Sequence, residues 1–124
     1  MRLIAGLVAC VTVTACTPEE IQVAYWLNRD PPTVVPCREW VGSTRAAGFD
    51  DDQIAVVHRL MQRESGCDPN ALNPSGASGL MQVLPMWADN CGGVPGDLFD
   101  PNFNLRCAHH VYETQGWHAW STYP

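Results

Sequence analysis

The 124 residues carry a formal charge of −6 with arginine as the only strongly basic residue, enough chain for one small domain. No basic stripe or cluster exists, which argues against nucleic acid as a partner. The acidic balance gives no steering toward an anionic polymer either, so a grip on one has to come from a shaped cleft.

Residues 1–15, MRLIAGLVACVTVTA, read as a signal peptide: one positive charge, an apolar run too short for a comfortable membrane span, and a small residue before Cys16. VTAC, Val13 to Cys16, resembles a lipobox, which implies cleavage before Cys16 and a lipid on it; an ordinary secretory signal cut further on is the alternative. Either exports the protein, and loss of Arg2 takes the charge from −6 to −7. Residues 16–36 read as the lipidated cysteine and a Pro-rich tether to a domain at 37–124, with IQVAYWL available to pack onto it. Export also governs the cysteines. With Cys10 discarded and Cys16 lipidated, Cys37, Cys67, Cys91 and Cys107 remain, an even set that predicts two disulfides with three possible connectivities. If residues 37–47 and 51–66 form an antiparallel helical pair, Cys37 meets Cys67 and leaves Cys91 to Cys107. Zinc is the competing use, but there is no C-x-x-C pair, and His58, His109, His110 and His118 lack ligand spacing. These histidines are expected at the surface or in the core, and no metal is expected.

From Cys37 the pattern turns helical over CREWVGSTRAAGF. A second helix follows over residues 50–66, with Asp50 as cap, Gln53 placed for a return bond and Gly66 as the stop. Ile54, Val57, Leu60 and Met61 share one side of it, and Glu64 falls within that stripe. Partial desolvation and the negative end of the helix dipole both disfavour the charged form of a carboxyl there, which suits a general acid. Otherwise Glu64 turns to solvent or pairs with Arg59 or Arg63. The loop CDPNALNPSGASG is turn chemistry, Pro85 opens a short helix over PMWADN, and CGGVPGDLF is turn chemistry again. Asp100 and Pro101 start a last helix, ended by Gly116, with Leu105, Ala108, His109 and Tyr112 on one face. WHAWSTYP is expected to fold back onto the body. With no alternating strand and no repeat, the class is mainly α.

Three ordered blocks carry a resemblance: RESG with the DPNA loop, GASGLMQ with Pro85 beyond it, and FDPNFNLRCAHHVYETQGWHAW. Together, from about Ile54 to Tyr123, they resemble the lytic transglycosylase domain of the lysozyme-like superfamily, which also holds the goose-type lysozymes. The resemblance implies a small lysozyme-like fold with Glu64 as the catalytic acid at a helix end facing a cleft. It implies that Ser65 helps to hold substrate near that acid. Ser78, Gly79, Leu80, Met81 and Gln82 would belong to the cleft-lining segment, with Gln82 bonding sugar groups and Met81 packing on a ring. Gly76 and Gly79 allow close backbone approach, and Gln82 offers both donor and acceptor. Many family members carry a tyrosine that orients the catalytic carboxyl. Counted from Asn104 and Leu105 it falls at Val111, whereas this chain has Tyr112, which is the candidate if the helix starts differently.

The implied substrate is the β-1,4 bond between N-acetylmuramic acid and N-acetylglucosamine in peptidoglycan. Glycosidases usually use two carboxylates. Asp68, Asp89, Asp97 and Asp100 are all explained by turns and caps, which leaves Glu64 alone. One acid fits the transglycosylase route to 1,6-anhydro ends, with no cofactor and with the protein acting as a monomer. A lysozyme using Asp68 or another loop aspartate is the runner-up, and a non-catalytic wall-binding lipoprotein is the reading from another class.

Overall fold

The computed structural model describes residues 35–124; the signal segment, Cys16 and nearly all of the tether, including IQVAYWL, lie outside the described residues. Within them are three α-helices, α1 (Val41–Ala46), α2 (Asp51–Ser65) and α3 (Pro101–Gln115), with short 3-10 turns at Arg38–Trp40, Pro85–Trp87, Pro95–Phe99 and Trp117–Ala119. No strand forms among the described residues. The extended backbone is limited to the isolated bridges Leu72–Ser78 and Ser78–Val83. The protein is mainly α, as the sequence implies.

Local chemistry sets the two long helices. At the start of α2 the Asp50 N–H donates to Gln53 Oε1 at 2.8 Å, and Gly66 ends the helix in the left-handed conformation, φ 63°. Its buried stripe is Ile54, Val57, His58, Leu60 and Met61. At the start of α3 the Asp100 carboxylate accepts from Phe103 N–H at 3.0 Å, Pro101 takes the first turn, and Gly116 follows the last residue.

The first helical segment is shorter than its pattern suggests. Cys37 is left-handed, φ 54°, a 3-10 turn precedes α1, and Gly48 at φ 112° stops the run. A Cβ on Gly48 would press on the His109 ring at 3.1 Å, so close contact with α3 also requires glycine there. The disulfides pair Cys37 with Cys67 and Cys91 with Cys107. Their separations of 30 and 16 residues correspond to roughly 3–4 kcal/mol each in the chain-entropy account. That is a large share of the stability open to so small a core.

The inner face of α3 is rotated from the apolar pattern. Leu105 and Ala108 are buried as expected, but their companions are Asn104, Cys107 and Val111, while His109 and Tyr112 sit half-buried at the flank. Asn104 faces inward because its carboxamide is fully used: Oδ1 accepts from Met81 N–H at 2.9 Å, and Nδ2 donates to the carbonyls of Ser78 and Leu98 at 2.8 Å each. Gly79, φ 75°, lies under this clamp, and a Cβ there would collide with Leu98 O and Asn104 Nδ2. His109 and Tyr112 instead join Phe49 and Trp117 in an aromatic cluster, with Tyr112 and Trp117 centroids 4.0 Å apart. That cluster and the Trp120 indole, which donates to Met81 O at 2.8 Å, hold the C-terminal segment on the body.

His58 is the polar member of the buried α2 stripe. Its Nδ1–H donates to Pro36 O at 2.7 Å, and its Nε2 lies 2.9 Å from the Thr44 hydroxyl. Burial pushes the imidazole pKa below 6.5, against the opposing pull of the Pro36 and Cys37 backbone bonds and the Glu39 charge. His109, His110 and His118 lie against Phe49, Trp87 and Tyr123 respectively.

Two outcomes are expected. Asn104→Leu strands one N–H and two carbonyls in the interior and should cost about 3–5 kcal/mol in urea unfolding, whereas a loss below about 1 kcal/mol would contradict the clamp. For His58, the folded imidazole takes up a proton less readily than the unfolded one, so its contribution is complete above pH 6.5 and lost as pH falls through the lower folded value. Urea melts between about pH 7.5 and about pH 5 should show this acid-side loss, and a His58→Gln variant should flatten it; an unchanged slope in that variant would contradict the assignment.

Candidate active site

Glu64 occupies the last turn of α2, half-buried, on the wall of a cleft of about 180 Å³. Helical phase puts it there: the stripe that buries Leu60 and Met61 continues to Glu64, where the helix runs out and the surface opens. One side of the cleft is the segment Ala77 and Gln82 to Leu84. The remaining lining comes from Trp87 of the Pro85–Trp87 turn, Val111 and Gln115 of α3, and Ala119 to Ser121 of the C-terminal segment.

Glu64 is the sole carboxylate on this wall among the described residues. The Thr122 hydroxyl donates to its Oε2 at 2.5 Å. Arg63 does not pair with it; its Nη1 donates to the Thr122 carbonyl at 2.9 Å. The other candidate acids have turn and cap roles. Asp68 accepts from Asn70 N–H, Asp97 from Val94 N–H and Asp100 from Phe103 N–H, and Asp89 is exposed. Among the described residues no group of three or more His, Cys, Asp or Glu side chains could hold a metal ion.

The residues assigned to substrate from the sequence divide. Gln82 lines the cleft together with Glu64. Its backbone is left-handed, φ 48°, a conformation that non-glycine residues seldom take and that often marks a functional constraint. Both amide hydrogens are committed, to the carbonyls of Ala71 and Gly79 at 3.0 Å each, so Oε1 is the part of the amide left to accept a further hydrogen bond. Gly79 supports that loop from beneath. Leu80 and Met81 are completely buried in the core, and the surface expected of Met81 for stacking on a sugar ring is absent. The reason is the Asn104 clamp, which draws the Met81 backbone inward.

Ser65 Oγ is turned back along the helix to Met61 O at 3.0 Å, and Ser78 Oγ is held by Gly76 O at 2.7 Å. Neither lines the cleft. The Tyr112 hydroxyl receives a bond from Gln53 Nε2 at 3.2 Å, at the opposite end of α2 from Glu64. One residue of helical phase makes this difference: Val111, 4% exposed, faces the cleft, and Tyr112 faces the aromatic cluster. The sequence reasoning did not find Trp87, Trp120 or Thr122 as parts of the site. Aromatic residues near a chain end predict docking, but nothing in WHAWSTYP shows which wall they complete.

The family model described as the Transglycosylase SLT domain matches residues 45–114. Similar curated proteins include the "Probable transglycosylase IsaA" of Staphylococcus aureus strain bovine RF122 / ET3-1 and that of strain Newman. Each is 41% identical over 61 residues, which is 49% of this chain and 23% of the relative. The chain thus spans under a quarter of the length of these relatives. No solved structure matches. Glu64, the Gly79–Gln82 turn and Asn104 all fall inside the matched region, and the chain belongs to the transglycosylase SLT domain family.

Proposed function

We propose that the protein is a peptidoglycan lytic transglycosylase that cuts the β-1,4 bond between N-acetylmuramic acid and N-acetylglucosamine, with Glu64 as sole general acid and base. The observation that carries this reading is that Glu64 is the one carboxylate lining the cleft among the described residues. Protonated Glu64 gives its proton to the bridging oxygen as the glycosidic C–O bond breaks and positive charge develops at the muramic acid anomeric carbon. The 6-hydroxyl oxygen of the same sugar then bonds to that carbon, and its proton returns to Glu64. The product is a 1,6-anhydro end, and the acid is regenerated. No water has to be activated, so no second carboxylate is needed.

A lysozyme route requires a partner base near the anomeric carbon. The aspartates that could serve are committed to backbone N–H groups or lie off the cleft wall, which favours the ring-closing route. A half-buried carboxyl oriented by a hydroxyl on the cleft wall, inside the span matched to a transglycosylase family, supports an enzyme over a binding protein without turnover. Trp87, half-buried, lines the cleft with aromatic surface, and Gln82 Oε1 offers an acceptor; an uncharged grip of this kind suits a glycan approached by an acidic protein. We further propose that the domain, residues 37–124, works outside the cell as a monomer, carried by the signal segment and tethered by lipid on Cys16; its disulfide-dependent build fits an oxidising compartment.

Purified cell-wall sacculi should lose turbidity with the wild-type protein. Glu64→Gln should reduce that rate by at least about 100-fold while co-sedimenting with the wall as well as wild type. A Glu64→Gln variant that clears the wall at the native rate would contradict the proposal.

A further inference from the structure

Val111 faces the cleft with a side chain that cannot donate a hydrogen bond, and Tyr112 is occupied at the far end of α2. The carboxyl of Glu64 is nevertheless held, by a residue beyond the span matched to the family: Thr122, whose hydroxyl donates to Oε2. Thr122 is itself gripped from several directions. Arg63, the neighbour of Glu64 on the last turn of α2, donates to its carbonyl. Trp120 is anchored on Met81 O, and Tyr123 lies over Trp117 with its N–H bonded to Trp120 O at 3.0 Å. Consecutive residues of α2 therefore take the backbone and the side chain of one threonine.

We propose that Thr122 is the positioning residue of this active site, fixing the Glu64 carboxyl through Oε2 so that Oε1 is presented to the glycosidic oxygen. A glutamate at the end of a helix has three rotatable side-chain bonds, and an untethered one spends much of its time misaimed. The hydroxyl bond also strengthens as charge appears on the carboxyl, because bonds to an ionised acceptor are stronger than bonds to a neutral one. It is therefore worth more in the transition state than with substrate merely bound, and its loss should appear in kcat and not in KM. The inference rests on the proposed role of Glu64 and adds the C-terminal segment to the catalytic apparatus.

The test is steady-state kinetics of the full chain on soluble glycan strands prepared from peptidoglycan. Thr122→Val should lower kcat by about 10- to 100-fold with KM within about twofold, and Thr122→Ser, which keeps the hydroxyl, should recover most of the loss. Thr122→Ala, which adds no bulk, should show the same split. Native kcat in Thr122→Val and Thr122→Ala, beside an inactive Glu64→Gln, would overturn the role of Thr122 and leave that of Glu64 standing. Parallel changes in KM, or failure of Thr122→Ser to recover activity, would mean a structural role and would also overturn it. Native activity in Glu64→Gln would overturn the reading beneath it.

Discussion

The carboxamide of Asn104 satisfies a backbone N–H and two carbonyls in a part of the molecule that water does not reach. Without those bonds the segment from Ser78 to Gln82 would have to leave the interior, because buried peptide groups without partners cost more than its few apolar side chains return. With them, the turn is drawn onto α3, Leu80 and Met81 sink into the core, and Gln82 is left in a strained left-handed conformation at the cleft edge. The same bonds fix the rotation of α3, which puts Val111 in the cleft and Tyr112 in the aromatic cluster.

The cleft is thus a meeting of three pieces, each secured differently. Helix α2 brings Glu64 through its apolar stripe and its capped ends. The turn brings Gln82 through Asn104. The C-terminal segment brings Trp120 and Thr122 through indole stacking, the Trp120 bond to Met81 O and the Arg63 grip. The disulfide between Cys37 and Cys67 sits directly after the C-terminal end of α2, and so braces the turn that carries Glu64. A carboxyl in such a frame has little freedom left to lose on binding a ligand, and this suits the proposed role of Glu64 in both halves of a proton cycle.

Signals that are local in the chain were legible in the sequence. The caps of α2 and α3, the glycine stops and the place of Glu64 in its stripe all follow from spacing, whereas the cysteines alone leave three connectivities open, and the observed one is that expected if the first two helical segments run antiparallel. Signals that depend on a distant partner were not. Asn104 counts as polar in any periodicity, so the inner face of α3 was set one step off, toward His109 and Tyr112. Met81 looks like a residue available to ligand until the clamp that buries its backbone is known. Thr122 is an ordinary threonine in an aromatic tail, and only the return of that tail to the end of α2 gives it a carboxyl to hold.

The central claim is that a single carboxyl both gives and recovers the proton, with the sugar's own 6-hydroxyl in place of water. Mass spectrometry of the glycan released from purified sacculi tests this most directly. The account requires muramic acid ends in the 1,6-anhydro form, one water lighter than reducing ends, made by the native protein and not by Glu64→Gln. Reducing ends from the native protein would mean that water is the nucleophile, and that a second group, absent from this account, activates it.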